Sequence, residues 1–180
     1  MKIATVGRGN IGGGLSDKWE RAGHEVTRLG KEGGDVSDAD VVLVAVPGGA
    51  VPDALDKISG LEGKTVIDAT NLIGVDPPAG FASNAEFIKS KTNGPTVKSF
   101  NLNYARLFDQ IAVQSETPGN LWTGDEEVRA VVEELIRDAD YEPVYGGPIE
   151  NAVVQEQFMK IMRGISGDIG PFFYRFWSPG

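Results

Sequence analysis

The 180-residue sequence contains no cysteine and a single histidine. The absence of cysteine excludes disulfides, thiolate nucleophiles and cysteine-ligated zinc or iron–sulfur centres, and we expect no metal site. A lone histidine also argues against a Ser-His-Asp hydrolase. His24 falls in an Ala-Gly-His-Glu turn at the end of the predicted sheet opposite the ligand crevice, so we expect it to have a structural role.

Cationic residues are scarce as well. The chain has 17 Lys and Arg against 26 Asp and Glu, which gives a formal net charge of −9. Binding to nucleic acid requires clustered Lys and Arg, so we expect no nucleic-acid partner. No apolar run approaches the roughly 20 residues of a membrane helix, and the run from Ile3 to Val6 is too short for a signal peptide. These absences predict a cytoplasmic protein with no membrane partner.

A glycine-rich turn near the N terminus is the most informative motif present. The apolar segment Lys2–Val6 predicts a strand, and it runs directly into a G-x-G-x-x-G pattern that opens a predicted helix. The first glycine of this pattern allows a tight turn, the second lets the backbone approach a pyrophosphate, and the third lets the helix pack closely. The helix N terminus then offers free N–H groups to the phosphates. The pattern predicts a dinucleotide site formed by Gly7, Arg8, Gly9, Asn10, Ile11 and Gly12, the alternative being a glycine-rich turn without a ligand.

The residues after the second predicted strand bear on which dinucleotide is bound. Proteins specific for NAD carry an acidic residue about 20 residues after the turn, where it binds the ribose hydroxyls. Here Arg28 lies 21 residues after Gly7 (28 − 7), and Lys31 follows it. Both cations suit a 2′-phosphate and predict NADP over NAD, unless they are merely solvated surface charges.

Strands and helices alternate at short spacing along most of the chain, which indicates a parallel sheet. The segment between Leu29 and Val41 is too short for a second crossover helix, and Val41–Val46 is typical of a strand buried on both faces. We therefore predict a Rossmann-like, doubly wound, mainly parallel α/β fold with a truncated second crossover and a C-terminal helical segment. Residues 1–180 would form a single NAD(P)-binding domain. Later elements include strands at 65–68, 96–100, 120–123 and 141–145, helices opened by Ser83 and Asp125, and a closing helix with Val154, Phe158, Ile161 and Ile165 on one side.

The loops that leave the carboxyl ends of the strands are expected to meet at the ligand crevice. Val46, Pro47 and Gly48 should run along the cofactor, together with Ala69. Four neutral polar residues, suited to positioning a carboxamide or a polar ring edge, follow the next two strands: Thr70, Asn71, Asn101 and Asn103. The alternative is that these are turn and capping residues. Lys98 either contacts an anionic substrate or points to solvent.

No acid–base pair stands out, so the sequence identifies no catalytic residue. Hydride transfer between two redox cofactors requires alignment more than proton transfer by the protein, and this absence is typical of such a reaction.

Together, these motifs resemble the NADPH-dependent reductases of coenzyme F-420 (F420, a deazaflavin) and their wider group of small dinucleotide-binding oxidoreductases. The matching segments span most of the chain in order: KIATVGRGNIGGGL, AGHEV, DVVLVAVP, GKTVIDATN, VKSFN, WTGDEEVRAVVEEL and GGPIEN. The resemblance implies a Rossmann-like fold, NADP bound at the glycine turn, and a second cofactor over the nicotinamide. It places Lys31 where the family carries a basic residue, and Gly30 where a serine is usual.

We therefore expect an NADP(H)-dependent oxidoreductase that transfers hydride to or from a small-molecule redox acceptor, a deazaflavin or flavin-type ring. The alternative is a non-catalytic NADP-binding sensor or partner protein, which needs no second cavity. Residues 146–180, with the apolar segment Phe172–Trp177, are expected either to close the cleft or to form the interface of a homodimer.

Overall fold

The computed structural model describes residues 1–178. Within that range no helix has the length and hydropathy needed to cross a membrane. The strands are β1 (Lys2–Val6), β2 (Glu25–Leu29), β3 (Gly34–Asp35), β4 (Val41–Val44), β5 (Ile58–Ser59), β6 (Thr65–Asp68), β7 (Thr96–Lys98), β8 (Gly119–Gly124) and β9 (Glu142–Tyr145). The α-helices are α1 (Asn10–Arg21), α2 (Val51–Leu55), α3 (Asn84–Thr92), α4 (Arg129–Asp138) and α5 (Ala152–Ile169), with 3-10 turns at Gly48–Ala50, Ala105–Val113, Glu126–Val128 and Ile149–Asn151.

Seven strands form one twisted sheet in the order β2-β1-β4-β6-β7-β8-β9. The first five are mutually parallel, β8 is antiparallel to β7, and β9 is parallel to β8. The chain passes from β1 outward to β2 and then returns to β4 on the other side of β1. This reversal creates a crevice at the carboxyl ends of β1 and β4, where ligands bind in open α/β sheets. The predicted Rossmann-like, mainly parallel fold is confirmed.

The sheet is covered on both faces, as the apolar runs of its central strands require. Ile3 and Leu43 pack with Trp19 of α1 in one core cluster, which also includes residues of α4. Ala4 and Val44, their neighbours along the strands, pack in the opposite cluster with residues of α2 and α3. The indole Nε1 of Trp19 donates a hydrogen bond of 2.8 Å to the Leu135 carbonyl, which ties α1 to α4.

The second crossover is truncated, as predicted. Residues 30–40 contain no helix, only the short strand β3, which pairs with β5 in a separate two-stranded sheet. The loop after β2 therefore lies free to form one wall of the crevice.

Two helix starts predicted from single residues turn out differently. The Ser83 side chain accepts a hydrogen bond from the Glu86 backbone N–H at 3.2 Å, so the predicted cap of α3 is confirmed. The cap predicted at Asp125 is wrong, since the structure records no capping hydrogen bond from that side chain. Its carboxylate instead accepts from Lys89 Nζ at 2.5 Å and from the Thr96 backbone N–H at 2.8 Å. A charged donor from α3 and a backbone donor from β7 thus occupy the two oxygens that a cap would use.

Helix α5 carries its apolar side toward solvent. Val154, Ile161 and Ile165 are 61%, 56% and 40% exposed, whereas the polar residues Gln155 and Glu156 are buried. The buried face of this helix is mixed and consists of Ala152, Gln155, Glu156 and Met162.

The C-terminal segment lies along β8. The Gly119 backbone N–H donates to the Tyr174 carbonyl at 2.6 Å, and the Leu121 N–H donates to the Tyr174 hydroxyl at 2.9 Å. The Phe172 ring packs on Tyr104 with 5.7 Å between ring centroids. Trp177 is 74% exposed. The expected homodimer stays a prediction, and residues 179–180 of the predicted segment lie outside the described residues.

Candidate functional site

The glycine turn joins β1 to α1 and is built by backbone contacts. Gly7 has φ of +110°, and a Cβ on it would overlap the carbonyl oxygen of Ala45. A Cβ on Gly12 would overlap the carbonyl oxygen of Gly7. Both positions therefore require glycine, as the predicted roles of the first and third glycines demand.

The N terminus of α1 is open to an anion. No side chain among residues 1–178 caps it, and its first turn, which contains Asn10 and Ile11, carries no acidic residue. The unpaired N–H groups and the positive end of the helix dipole therefore face the crevice without a competing carboxylate on the helix. This is the environment in which a pyrophosphate binds.

A cavity of about 810 Å³ lies beside this turn at the carboxyl ends of β1, β2 and β4. Its walls combine the glycine turn, the loop after β2, the loop after β4 and one side of α2. The lining residues are Val6, Gly7, Arg8, Gly9, Gly30, Lys31, Glu32, Gly33, Ala45, Val46, Pro47, Ala50, Asp53, Ala54 and Lys57. The structure thus brings six of the predicted cofactor residues to one cavity: Gly7, Arg8, Gly9, Lys31, Val46 and Pro47.

Arg28 does not reach this cavity. Its guanidinium lies over α1, where Nη2 donates to Asp17 Oδ1 and Glu20 Oε2 at 2.7 Å each. Arg28 pairs in register with Thr5 of β1, and the Thr5 hydroxyl accepts from Ser16 of α1 at 3.0 Å. Neighbouring residues in register project to the same face of a sheet, so Arg28 faces α1. Of the two predicted phosphate-binding cations, only Lys31 lines the cavity.

The loops after β4 and β6 are in contact. A Cβ on Gly48 would overlap the Asn71 carbonyl oxygen. The buried Asn84 side chain joins the same loops, donating to the Gly48 carbonyl at 3.0 Å and to the Thr70 hydroxyl at 2.9 Å. Ala69, which precedes Thr70 in the loop after β6, is buried.

Two of the four predicted positioning residues, Asn71 and Asn101, form a hydrogen-bonded network with Gln155 of α5. The Asn71 amide donates to the Asn101 carbonyl at 2.8 Å, and the Asn101 amide donates back to Asn71 Oδ1 at 3.0 Å. Gln155 of α5 donates to Asn101 Oδ1 at 2.7 Å. Asn103 lies apart, with its amide on the Gly119 carbonyl at 3.1 Å. The network fixes the loops at the crevice; the role of these residues toward a ligand stays a prediction.

Beneath this network lies a buried cluster of three charges. Lys98 Nζ donates to Asp68 Oδ2 at 2.8 Å and to the Thr70 carbonyl at 2.9 Å, and lies 3.3 Å from Glu156 Oε2. The Lys98 and Asp68 side chains are fully buried. Lys98 therefore neither points to solvent nor reaches a substrate, because buried charges must be paired to be tolerated. Asp68 Oδ1 also accepts from the Thr70 N–H at 2.8 Å, which supports its predicted turn role.

A second cavity, of about 350 Å³, lies between the loop from Asn71 to Pro77 and α5. Asn71 is at its inner end, and Lys160 and Arg163 of α5 lie on its wall. Glu156 lines it as well, and its Oε1 accepts from the Leu72 N–H at 2.5 Å. None of residues 170–178 lines either of these two cavities. Helix α5, rather than the apolar tail, forms the wall.

Burial raises the pKa of the Glu156 carboxyl, and the nearby Asp68 carboxylate raises it further, while Lys98 and the Leu72 N–H oppose the rise. An acid whose pKa is higher in the folded chain binds its proton more tightly there. The contribution of the Glu156 carboxyl to the free energy of unfolding is therefore fully present below the ordinary Glu pKa of 4.5. It is lost as the pH rises through the higher pKa of the folded chain.

We predict that Glu156→Gln removes this pH-dependent loss. The free energy of unfolding of the variant, relative to wild type, should increase from about pH 4.5 upward and then level off. Urea denaturation at a series of pH values measures the difference. Glu150→Gln, at an exposed position near the start of α5, is the matched control. Parallel curves for wild type and Glu156→Gln would contradict the assignment.

Residues 31–72 match the family model described as "NADP oxidoreductase coenzyme F420-dependent". This match confirms the resemblance. The matched segment runs from Lys31 on the cavity wall, through β4 and β6, to the loop that contains Thr70 and Asn71. The resemblance to the F420-dependent NADP oxidoreductase family thus includes the loops after β4 and β6. No curated protein sequence matches the chain.

Solved structures share the fold. A protein of Arthrobacter sp. FB24, named as a candidate F420-dependent NADP reductase, superposes with a TM-score of 0.81 at 20% identity and full coverage of both chains. A hypothetical protein of Sinorhizobium meliloti gives a TM-score of 0.60 at 23% identity, covering 83% of this chain and 86% of its own. A reductive aminase of Aspergillus terreus, in complex with NADPH, gives 0.67 at 16% identity over 92% of this chain; the chain spans 61% of that enzyme.

The sequence predicts the C-terminal helical segment at the cleft but does not single out Gln155 and Glu156 of α5. Gln155 and Glu156 reach the loops after β6 and β7, although they are far from those loops in sequence. The available signal was the pattern of α5 itself: a polar pair on the side opposite an apolar stripe. Only the tertiary structure shows which of the two sides is buried.

Proposed function

We propose that the protein is an NADP(H)-dependent oxidoreductase that transfers hydride between the nicotinamide and a deazaflavin, coenzyme F420, or a flavin-type acceptor. The observation that carries this proposal is the pair of cavities, of about 810 and 350 Å³: the loop after β4 lines the first, the loop after β6 lines the second, and these two loops are in contact. The first fits a dinucleotide in size and chemistry. The second is the additional space that a non-catalytic sensor does not need.

The residues present fit NADP at the first cavity. The uncapped α1 N terminus suits the pyrophosphate, and the cations Arg8, Lys31 and Lys57 line the cavity together with the acids Glu32 and Asp53. The family model that matches residues 31–72 is that of NADP oxidoreductases, and one structural neighbour holds NADPH. These observations support NADP(H) as the cofactor.

Bound NADPH would supply the hydride. The chain itself contributes alignment: the glycine turn holds the phosphates, and Val46 and Pro47 form the wall along which the cofactor extends. The Asn71–Asn101 pair keeps the inner loops in place, and α5 closes the acceptor side. Holding two reactants in one geometry is the main requirement for such a transfer.

The proposal predicts that the purified protein oxidises NADPH when a deazaflavin or a flavin is added and does not do so with a simple ketone. A ketone would need a positioned proton donor, and the acid that lines the second cavity, Glu156, is already held by the Leu72 N–H and the Lys98 ammonium group. Steady-state loss of nicotinamide absorbance with each acceptor measures this. Binding of NADPH without reduction of any acceptor would favour the sensor instead.

A further inference from the structure

One ion pair lies inside the mouth of the first cavity, where the proposed cofactor would place its adenosine ribose. Arg8 Nη2 is 2.5 Å from Glu32 Oε1, and both residues line the cavity. Their side chains are 56% and 66% exposed, so neither is locked in place by packing. Arg8 Nε also donates to the Arg28 carbonyl at 3.3 Å, which holds the guanidinium against β2.

Both charged groups lie directly over Gly30, the residue that follows β2. A Cβ on Gly30 would be 2.6 Å from Glu32 Oε2 and 3.0 Å from Arg8 Cζ. The end of the second strand is where dinucleotide folds place the ribose: an acid there binds the 2′-hydroxyl of NAD, and an arginine accommodates the 2′-phosphate of NADP. Here a carboxylate and a guanidinium occupy that one position and neutralise each other.

We propose that Glu32 is a specificity-determining residue that restrains the preference for NADP(H) and permits binding of NAD(H); this inference rests on the proposed function. A 2′-phosphate must displace Glu32 from Arg8 and tolerate the carboxylate beside it. A ribose 2′-hydroxyl can instead donate to the Glu32 carboxylate while the ion pair stays intact. The missing acid after β2 is thus supplied by a residue that folds back from the loop.

The other charged residues of the cavity do not by themselves set the preference between NADPH and NADH. Lys31 and Lys57 add positive charge to the same cavity, and Asp53 on α2 is the other carboxylate among its lining residues. Asp53 is therefore a matched control: it has the same charge in the same cavity but no hydrogen bond or ion pair with Arg8.

The test is calorimetric binding of NADPH and NADH to wild type, Glu32→Gln and Asp53→Asn at one fixed salt concentration. Glu32→Gln is expected to raise the ratio of the NADH to the NADPH dissociation constant about tenfold, mainly by tightening NADPH. Asp53→Asn should change it less than about twofold. Replacing Arg8 by alanine in the Glu32→Gln background should remove most of the gain.

An unchanged ratio in Glu32→Gln, or an equal change in Asp53→Asn, would overturn the role of Glu32 while leaving the proposed function intact. If wild type binds neither dinucleotide, the proposed function fails, and the role of Glu32 fails with it. The two failures are therefore distinguishable in one set of titrations.

Discussion

Replacing Gly9 with alanine is expected to weaken NADPH binding at least about tenfold, or about 1.4 kcal/mol, and to leave the melting temperature unchanged. Gly9 has φ of −74°, which alanine adopts without strain. A Cβ there would meet no heavy atom of residues 1–178 within 4 Å. The fold therefore does not require glycine at this position. Close approach of a pyrophosphate to the backbone does require it.

Gly13→Ala is the matched control for this prediction. A Cβ on Gly13 would make an ordinary contact of 3.5 Å with the Arg8 carbonyl, and the position lies within α1. Alanine is favoured over glycine in a helix by about 1 kcal/mol, so this variant should be slightly more stable and bind NADPH like wild type. Calorimetry measures the NADPH affinity of both variants, and thermal denaturation measures their melting temperatures. Wild-type affinity in Gly9→Ala, or equal losses in both variants, would contradict a phosphate-binding turn.

Replacing Lys98 with methionine is expected to lower the free energy of unfolding by about 3–5 kcal/mol. The ammonium group is the shared partner of two carboxylates, Asp68 and Glu156, and of the Thr70 carbonyl. Its loss leaves two buried carboxylates facing each other without a cation. Since Thr70 and Leu72 bond to these carboxylates, the loop at the crevice should loosen as well. Urea denaturation measures the stability change.

Lys89→Met provides the control, because Lys89 pairs with Asp125 at the surface with its side chain 42% exposed. That change should cost less than about 1 kcal/mol. The double variant Asp68→Asn with Lys98→Met should be more stable than Lys98→Met alone, since it removes one unpaired charge. If Lys98→Met lowers the free energy of unfolding no more than Lys89→Met does, the buried cluster of Lys98, Asp68 and Glu156 does not stabilise the fold.

The parts of the site that could be predicted from the sequence are those specified by local backbone geometry. The spacing of Gly7, Gly9 and Gly12 after an apolar strand determines a turn, and the structure forms it with the expected close contacts. The missing crossover helix was likewise predictable, because the loop after β2 is too short to hold one.

The parts that could not be predicted depend on which face a side chain occupies. Arg28 and Lys31 look equivalent in sequence, but the register of β2 against β1 directs Arg28 to α1 and leaves Lys31 at the cavity. The sequence leaves open whether Lys98 contacts a substrate or points to solvent, whereas in the structure it is buried and paired with Asp68 and Glu156. Glu32 is a loop residue, and its ion pair with Arg8, 24 residues earlier in the chain, is a tertiary contact.

The most direct test of the central claim is a single-turnover reaction with NADPH carrying deuterium at the transferred position of the nicotinamide, mixed with the protein and an oxidised deazaflavin. The acceptor carbon of a deazaflavin forms a C–H bond that does not exchange with water, so the label stays where the hydride arrives. We predict that the reduced deazaflavin retains deuterium. A reduced deazaflavin without deuterium, or no reduction of either a deazaflavin or a flavin while NADPH remains bound, would contradict hydride transfer by this protein.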